Sequence, residues 1–123
     1  MMRAALGPVE KSDSGEQRAI IDGSGEEIGF VEYRVSEGWL EVRWVELTVE
    51  HRRAGLGVEA VRLLEVEAER RLGVRGLRAE VPVENGLALY FWLRLGYRPA
   101  TRGVERGGEV LVMERATDSV DVS

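Results

Sequence analysis

A short turn in front of a long helical pattern carries the residue types that bind anions. Residues 49–61, VEHRRAGLGVEAV, place Arg52 and Arg53 beside Gly55 and Gly57. The first turn of a helix exposes backbone N–H groups without partners in the helix, and glycine lets a phosphate approach them. Arginine adds charge-assisted hydrogen bonds. The stretch therefore predicts either a phosphate-binding turn or a tight turn whose arginines lie in solvent.

A dinucleotide-binding loop is one interpretation of the two glycines. Gly55-x-Gly57-x-x-Ala60 fits the G-x-G-x-x-G/A template, and Glu80 follows at roughly the twenty-residue distance of the template's ribose-binding acid. That template needs a parallel βαβ unit that opens the domain, whereas the elements before this loop look antiparallel. A Walker phosphate loop is excluded because no lysine follows the glycines.

Composition narrows the function classes. The chain has 123 residues, of which 44% are hydrophobic, a net charge of −5 and no cysteine. We expect a cytoplasmic protein with no membrane span, because no apolar run reaches about 18 residues. The lack of cysteine excludes thiol nucleophiles and thiolate metal sites, and no other metal site is predicted. The acidic balance argues against nucleic acid as a partner. Weak periodicity at both ends predicts flexible segments over 1–16 and 117–123 around one domain at 17–116.

Hydrophobic periodicity predicts the elements that position the loop. Alternating patterns indicate an antiparallel meander of strands over 18–22, 27–35 and 39–49. The spacing then becomes helical from Leu56 onward. The apolar stripe of this helix consists of Ala60, Val61, Leu64, Ala68 and Leu72.

The remaining pattern completes an α+β fold. A strand is predicted over 77–83, a short helix within 85–97, and a hairpin that turns at Gly107 and Gly108. The fold class is therefore α+β: a mixed, mostly antiparallel sheet, with a long helix after the phosphate-binding loop and a short helix before the C-terminal hairpin.

Two spaced motifs resemble those of the GNAT superfamily of N-acetyltransferases. Residues 52–57, RRAGLG, are similar to its R/Q-x-x-G-x-G/A pyrophosphate-binding motif. NGLA at 85–88, followed by LGY at 95–97, is similar to its second signature. One helix and one strand separate the motifs, as that fold requires. Residues 18–115 therefore resemble a short member of the superfamily, shortened at its N-terminus, with a GNAT-like fold.

The resemblance implies that acetyl-CoA is the cosubstrate. Its pyrophosphate would contact the loop and the helix start, its pantetheine arm would pair with the strand before the loop, and its thioester carbonyl would meet a backbone N–H of that strand. An asparagine at the start of the second helix would reach the arm, cap the helix, or do both. The implied cofactor-binding residues are Val45, Leu47, Val49, Arg52, Arg53, Ala54, Gly55, Leu56, Gly57, Val58, Asn85 and Trp92.

The implied reaction is direct acetyl transfer to an amine, for which a carboxylate is the usual base. Glu80 lies where ribosomal-protein N-terminal acetyltransferases of the family carry their base, and Glu41 matches the base position of its histone acetyltransferases. Glu46 is a third candidate. Strict strand alternation places Glu41 and Val45 on one face of the strand. It places Glu46 on the other face.

Two departures from the superfamily pattern affect the predicted chemistry. Trp92 stands where the family's usual thiolate-protonating tyrosine lies, and Tyr90 points to a different side of the helix. The thiolate would then be protonated by water or leave unassisted, or catalysis would be weak. The sequence before the first strand is too short for the family's usual helices, so the acceptor pocket is abbreviated. It is either open to a small-molecule or peptide amine, or completed by a second subunit in a homodimer.

Three functions therefore stand as hypotheses. The first is an acetyl-CoA-dependent N-acetyltransferase acting on a primary amine. The second is an acyl-CoA-binding module with weak catalysis or none, motivated by Trp92. The third is a dinucleotide-binding fragment.

Overall fold

The computed structural model describes residues 3–51, 55–105 and 107–117. Its strands are β1 (Ala5–Leu6), β2 (Glu10–Ser12), β3 (Gly15–Ile21), β4 (Glu27–Ser36), β5 (Trp39–Leu47), β6 (Gly76–Pro82), β7 (Arg98–Glu105) and β8 (Gly108–Ala116). The helices are α1 (Leu56–Arg71) and α2 (Gly86–Arg94), and a 3-10 turn spans Val49–His51. One eight-stranded sheet has the order β1-β3-β4-β5-β6-β8-β7, with β2 paired to β3.

The predicted α+β fold is confirmed. Among the strand pairs of the described residues, β5 with β6 is parallel and the others are antiparallel. Helix α1 is the crossover that a parallel pair needs. The strand predicted over 39–49 ends earlier, at Leu47, because the chain then turns: the Thr48 amide still donates to the Ile28 carbonyl at 2.8 Å, and the His51 amide donates back to Thr48 at 3.0 Å.

Two short strands, β1 and β2, lie within the segment 1–16 that the sequence predicts to be flexible. Strands β1 and β2 both pair with β3, and the Gly7 amide donates to the Ala19 carbonyl at 2.9 Å. The Arg18 guanidinium holds the Gly7 carbonyl at 2.6 Å. Strands of two and three residues are too short to produce a period-two pattern, so the sequence could not reveal them. Residues 118–123 of the predicted C-terminal segment lie outside the described residues.

Both helices pack against the same face of the sheet. Side chains from α1 and Trp92 of α2 belong to one core cluster with β4, β5, β6 and β8. Of the predicted α1 stripe, Leu72 is an exception, because it is 55% exposed at the end of the helix. Neither helix of the described residues is long and apolar enough to cross a membrane. The buried stripe of α1 consists of Leu56, Ala60, Val61, Leu64 and Ala68.

A buried carboxylate also joins α1 to strand β8. Glu65 is 2% exposed. Its carboxylate accepts hydrogen bonds from the Tyr97 hydroxyl and from the Arg115 guanidinium, each at 2.6 Å. Burial, with the adjacent Glu65 carboxylate, raises the pKa of Tyr97. This polar cluster within an apolar core fixes α1 relative to β8, because each polar group satisfies the other.

Strand β5 contains a β-bulge that the sequence did not predict. Trp44 pairs with Glu32 of β4, and the next β4 residue, Tyr33, pairs with Val42. Arg43 is therefore the extra residue of β5 at this point. A bulge bends its strand and increases its local twist.

The bulge reverses the side-chain alternation along β5. Val42 before it and Val45 after it both belong to the core side. Glu41 and Glu46 therefore share the opposite face, which we call the open face because neither α1 nor α2 packs on it. The prediction that strict alternation separates these two glutamates is wrong, because the inserted residue shifts the period-two pattern by one.

Charged side chains cross the strands on the open face. Glu41 accepts from Arg34 at 2.6 Å and from Arg78 at 3.1 Å, and Arg78 also pairs with Glu114 at 3.0 Å. The Arg78 guanidinium lies 4.1 Å from the centre of the Trp39 ring. These ion pairs are partly exposed to solvent, so they contribute to the alignment of the strands more than to their stability.

The buried cluster gives a stability prediction. Tyr97→Phe leaves one oxygen of the buried Glu65 carboxylate without its donor, so we expect the free energy of unfolding to fall by about 1–3 kcal/mol. Urea unfolding measures this change. The matched control is Tyr90→Phe on α2, whose ring is 61% exposed; we expect it to stay within about 0.5 kcal/mol of the parent. Equal stability of the two variants would contradict the role given to the cluster.

Candidate functional site

A cleft opens where β5 and β6 separate. Their parallel pairing joins Trp39–Val42 to Gly76–Ala79 and ends there, directly before the bulge at Arg43. The cleft between the two strands has a volume of about 800 Å³. Its helix side is lined by α1 and α2, and its open-face side by polar residues of β5, β6 and β7. The crossover geometry thus brings a strand edge, two helix starts and several carboxylates to one place.

Glycine is needed at the two positions at the start of α1 for different structural reasons. Gly55 has φ +76° and open space around it, so its role is to adopt the left-handed conformation that begins the helix. Gly57 is buried, and a Cβ there would lie 3.2 Å from Leu47 and 3.3 Å from Phe91. The second glycine therefore lets α1 pack closely against β5 and α2.

The start of α1 is a candidate anion site. Gly55 provides no side-chain cap for the first backbone N–H groups, and Gly55, Gly57 and Val58 line the cleft. Leu56, which the sequence also predicted as a contact, is fully buried and does not line the cleft. The predicted contacts of Arg52, Arg53 and Ala54 lie outside the described residues.

Helix α2 also begins beside the cleft. The Asn85 side chain caps it by accepting from the Ala88 amide at 3.0 Å. The cap uses the amide oxygen, so the side-chain NH2 is the group that can donate a hydrogen bond to a ligand. Trp92 is 6% exposed and contacts the rings of Phe91 and Tyr97 at centroid distances of 5.2 and 4.8 Å. Trp92 is thus a packing residue whose indole forms part of the cleft wall.

Glu80 is a partly buried carboxylate of the cleft. Burial raises the pKa of Glu80 above its ordinary value; Arg43 opposes this effect, and the carboxylates of Glu105 and Glu41 add to it. One guanidinium nitrogen of Arg43 lies 3.6 Å from Glu80 and 3.1 Å from Glu105. Because Glu105 takes the closer position, Arg43 neutralises Glu80 only in part.

The other two predicted bases have different surroundings. Glu41 does not line the cleft, and both its oxygens are paired with arginines. Glu46 does line the cleft but is exposed to solvent, where it accepts from the Trp44 indole at 3.0 Å. The geometry therefore favours Glu80 among the three.

Most of the predicted site residues meet at the cleft. Val49 does not, because it lies in the 3-10 turn and is 75% exposed. Among the described residues, no cluster of three or more His, Asp and Glu side chains is arranged to hold a metal ion. The predicted residues that line the cleft are Val45, Glu46, Leu47, Gly55, Gly57, Val58, Glu80, Asn85 and Trp92. The lining residues that the sequence did not single out include Arg43, Trp44, Leu87, Phe91, Arg94, Glu105 and Val110.

Comparison with known families decides the identity. The sequence matches the acetyltransferase (GNAT) family over residues 7–97, which is most of the chain. The chain belongs to this family. No curated protein matches this GNAT chain.

Solved structures share the GNAT fold. A spermidine N-acetyltransferase from Vibrio cholerae, in complex with CoA and spermine, aligns with a TM-score of 0.72 at 18% identity, covering 85% of this chain and 67% of that one. The ribosomal-protein-S18-alanine N-acetyltransferase from Escherichia coli gives 0.71 at 19%, covering 91% and 75%. A Klebsiella pneumoniae protein assigned as an acyl-CoA N-acyltransferase gives 0.69 at 28%, covering 83% and 72%.

The shared arginine gives a prediction about ionisation in this GNAT chain. Arg43→Gln should raise the pKa of Glu80 further, because it removes the opposing positive charge. Glu105→Gln should lower the pKa of Glu80, because the substitution removes a like charge and leaves Glu80 as the carboxylate that pairs with Arg43. Carbon-13 NMR titration of the Glu80 carboxyl measures both shifts. Glu109→Gln, which changes an exposed glutamate of β8, is the control. Shifts of the same sign in the two test variants would contradict the arrangement.

Proposed function

We propose that the chain is an acetyl-CoA-dependent N-acetyltransferase that moves an acetyl group directly to a primary amine. The observation that carries this proposal is the cleft itself, which joins the uncapped start of α1 to the partly buried carboxylate of Glu80. A helix start suited to bind an anion and a candidate base that line the same cleft suit a phosphate-bearing acyl donor.

The residues present fit acetyl-CoA. The backbone N–H groups from Gly55 to Val58 would hold its pyrophosphate, and Asn85 would contact its pantetheine arm through the side-chain NH2. The amide of Thr48 points toward β4. By the period-two alternation, the amide of Val45 points toward the cleft, where it can pair with the arm or stabilise the developing oxyanion. When bound, acetyl-CoA supplies the activated acetyl group.

Glu80 is the proposed base. Its carboxylate accepts a proton from the acceptor ammonium group, and the neutral amine nitrogen then attacks the thioester carbonyl. The C–N bond forms and the C–S bond breaks. The nitrogen then releases its second proton to solvent water, which returns a proton to the departing thiolate. A raised pKa brings Glu80 closer to the pH at which it works, and this improves proton transfer.

A second candidate is an acyl-CoA-binding module with weak catalysis or none. Trp92 favours it, because an indole N–H cannot act as the acid for the thiolate, and Trp92 is packed between two rings. An acid is not indispensable, since a thiol ionises near pH 8.5 and is a tolerable leaving group. Membership of the GNAT family leaves the dinucleotide-binding alternative without support.

The acceptor amine would reach Glu80 from the open face of the sheet. The solved relatives include enzymes named for spermidine and for a ribosomal-protein alanine. A small-molecule amine and a peptide amine therefore both remain predictions for this chain, as does completion of the pocket by a second copy.

Cosubstrate binding is tested by thermal unfolding. Acetyl-CoA at about a hundred times its dissociation constant should stabilise the protein by about 2.7 kcal/mol, which raises the midpoint by roughly 10 °C for a domain of this size. NADH at the same concentration should give no rise. A rise with NADH alone, or no rise with acetyl-CoA and CoA, would contradict the proposal.

Catalysis is tested at Glu80. Glu80→Gln should lower kcat/KM for an amine acceptor by about a hundredfold or more, because it removes the base. The rise in unfolding midpoint with acetyl-CoA should remain. Glu84→Gln, an exposed glutamate beyond β6, is the matched control and should retain activity. Full activity in Glu80→Gln would exclude this residue as the base.

A further inference from the structure

Four side chains form a compact patch on the open face next to the cleft. In the register of β4 with β5, Phe30 pairs with Glu46 and Glu32 pairs with Trp44. Directly paired residues of an antiparallel sheet point to the same face. Two aromatic rings and two carboxylates therefore occupy adjacent positions, and we call Phe30, Glu32, Trp44 and Glu46 the aromatic–acidic patch.

The patch has a defined geometry. The Trp44 indole N–H donates to Glu46 at 3.0 Å, and Glu32 accepts from the Ser14 hydroxyl at 2.8 Å. Trp44 is nevertheless 46% exposed, so much of its ring faces solvent at the cleft mouth. The exposed ring face is therefore available to a ligand that enters the cleft.

Charge distinguishes the patch from the rest of the open face. Elsewhere on this face, the carboxylates of Glu41, Glu80, Glu105 and Glu114 each pair with an arginine. Within the described part of the chain, neither Glu32 nor Glu46 forms an ion pair. The patch is therefore a local excess of negative charge beside an exposed aromatic ring.

We propose that the aromatic–acidic patch binds the second cationic group of the acceptor, so that the preferred acceptors are aliphatic diamines and polyamines. This inference rests on the proposed function. An ammonium group gains from the face of a tryptophan and from nearby carboxylates together. Trp44 and Glu46 line the same cleft as Glu80, so one molecule can place one amine at Glu80 and the other on the patch.

The same arrangement discriminates against other amines. A monoamine reaches Glu80 but leaves the patch without a ligand. An amino acid places a carboxylate against Glu32 and Glu46, and this like-charge contact is repulsive. Cadaverine, pentylamine and δ-aminovalerate have the same five-carbon chain and differ in the far end group. They are therefore matched probes.

The experiment measures binding separately from turnover. Each of the three amines is titrated into the CoA-saturated protein, and the Trp44 indole N–H signal is followed by NMR. The signal is assigned by its loss in Trp44→Leu. We expect cadaverine to shift it with an affinity at least about tenfold higher than that of pentylamine, with δ-aminovalerate weakest. Steady-state kcat/KM for the three amines should follow the same order.

Substitutions test whether the patch residues bind the second amine. Glu32→Gln should lower the cadaverine-to-pentylamine ratio of affinities by severalfold, whereas Glu27→Gln, an exposed glutamate at the start of β4, should leave it unchanged. Equal affinities for cadaverine and pentylamine, or no shift of the Trp44 signal, would overturn the inference. Cadaverine binding at Trp44 without acetyl transfer to any amine would support the subsite and contradict the proposed function, so the two failures are distinguishable.

Discussion

The separation of β5 from β6 beyond Val42 is the constraint on which the site depends. Parallel strands that stayed paired would close the sheet and leave no cleft. The extra residue at Arg43 bends β5 away from β6 at the point where pairing ends. The same insertion turns Glu46 to the open face while Val45 stays on the core side. The bulge at Arg43 thus accounts for both the opening and the face of the sheet on which each neighbouring β5 side chain lies.

Packing holds this opening in place from the helix side. Gly57 allows α1 to lie close to Leu47 and Phe91, and the buried Glu65 fixes α1 to β8 through Arg115. The helix starts are therefore rigidly placed at one wall. On the other wall, Glu80 is partly desolvated and shares Arg43 with Glu105. A carboxylate that is neither fully paired nor fully solvated is suited to exchange protons, whereas the doubly paired Glu41 is suited to align strands.

The sequence predicts the parts of the structure that follow from local pattern. The meander, the long helix after the glycines, the capping role of Asn85 and the C-terminal hairpin all have periodicity or turn residues that reveal them. The bulge at Arg43 has no such signal, because Arg43 is an ordinary strand residue and only the pairing with β4 exposes the insertion. Glu105 joins the site from a strand far along the chain. The short strands before residue 15 depend on the edge of β3 and have no pattern of their own.

The most direct test of this account is a crystal structure of the chain with acetyl-CoA. We expect a pantetheine arm that runs between β5 and β6, phosphates at the residues from Gly55 to Val58, and a thioester that lies near the amide of Val45 and opens toward Glu80. Acetyl-CoA bound elsewhere on the sheet, or an acetyl group directed away from Glu80, would contradict it.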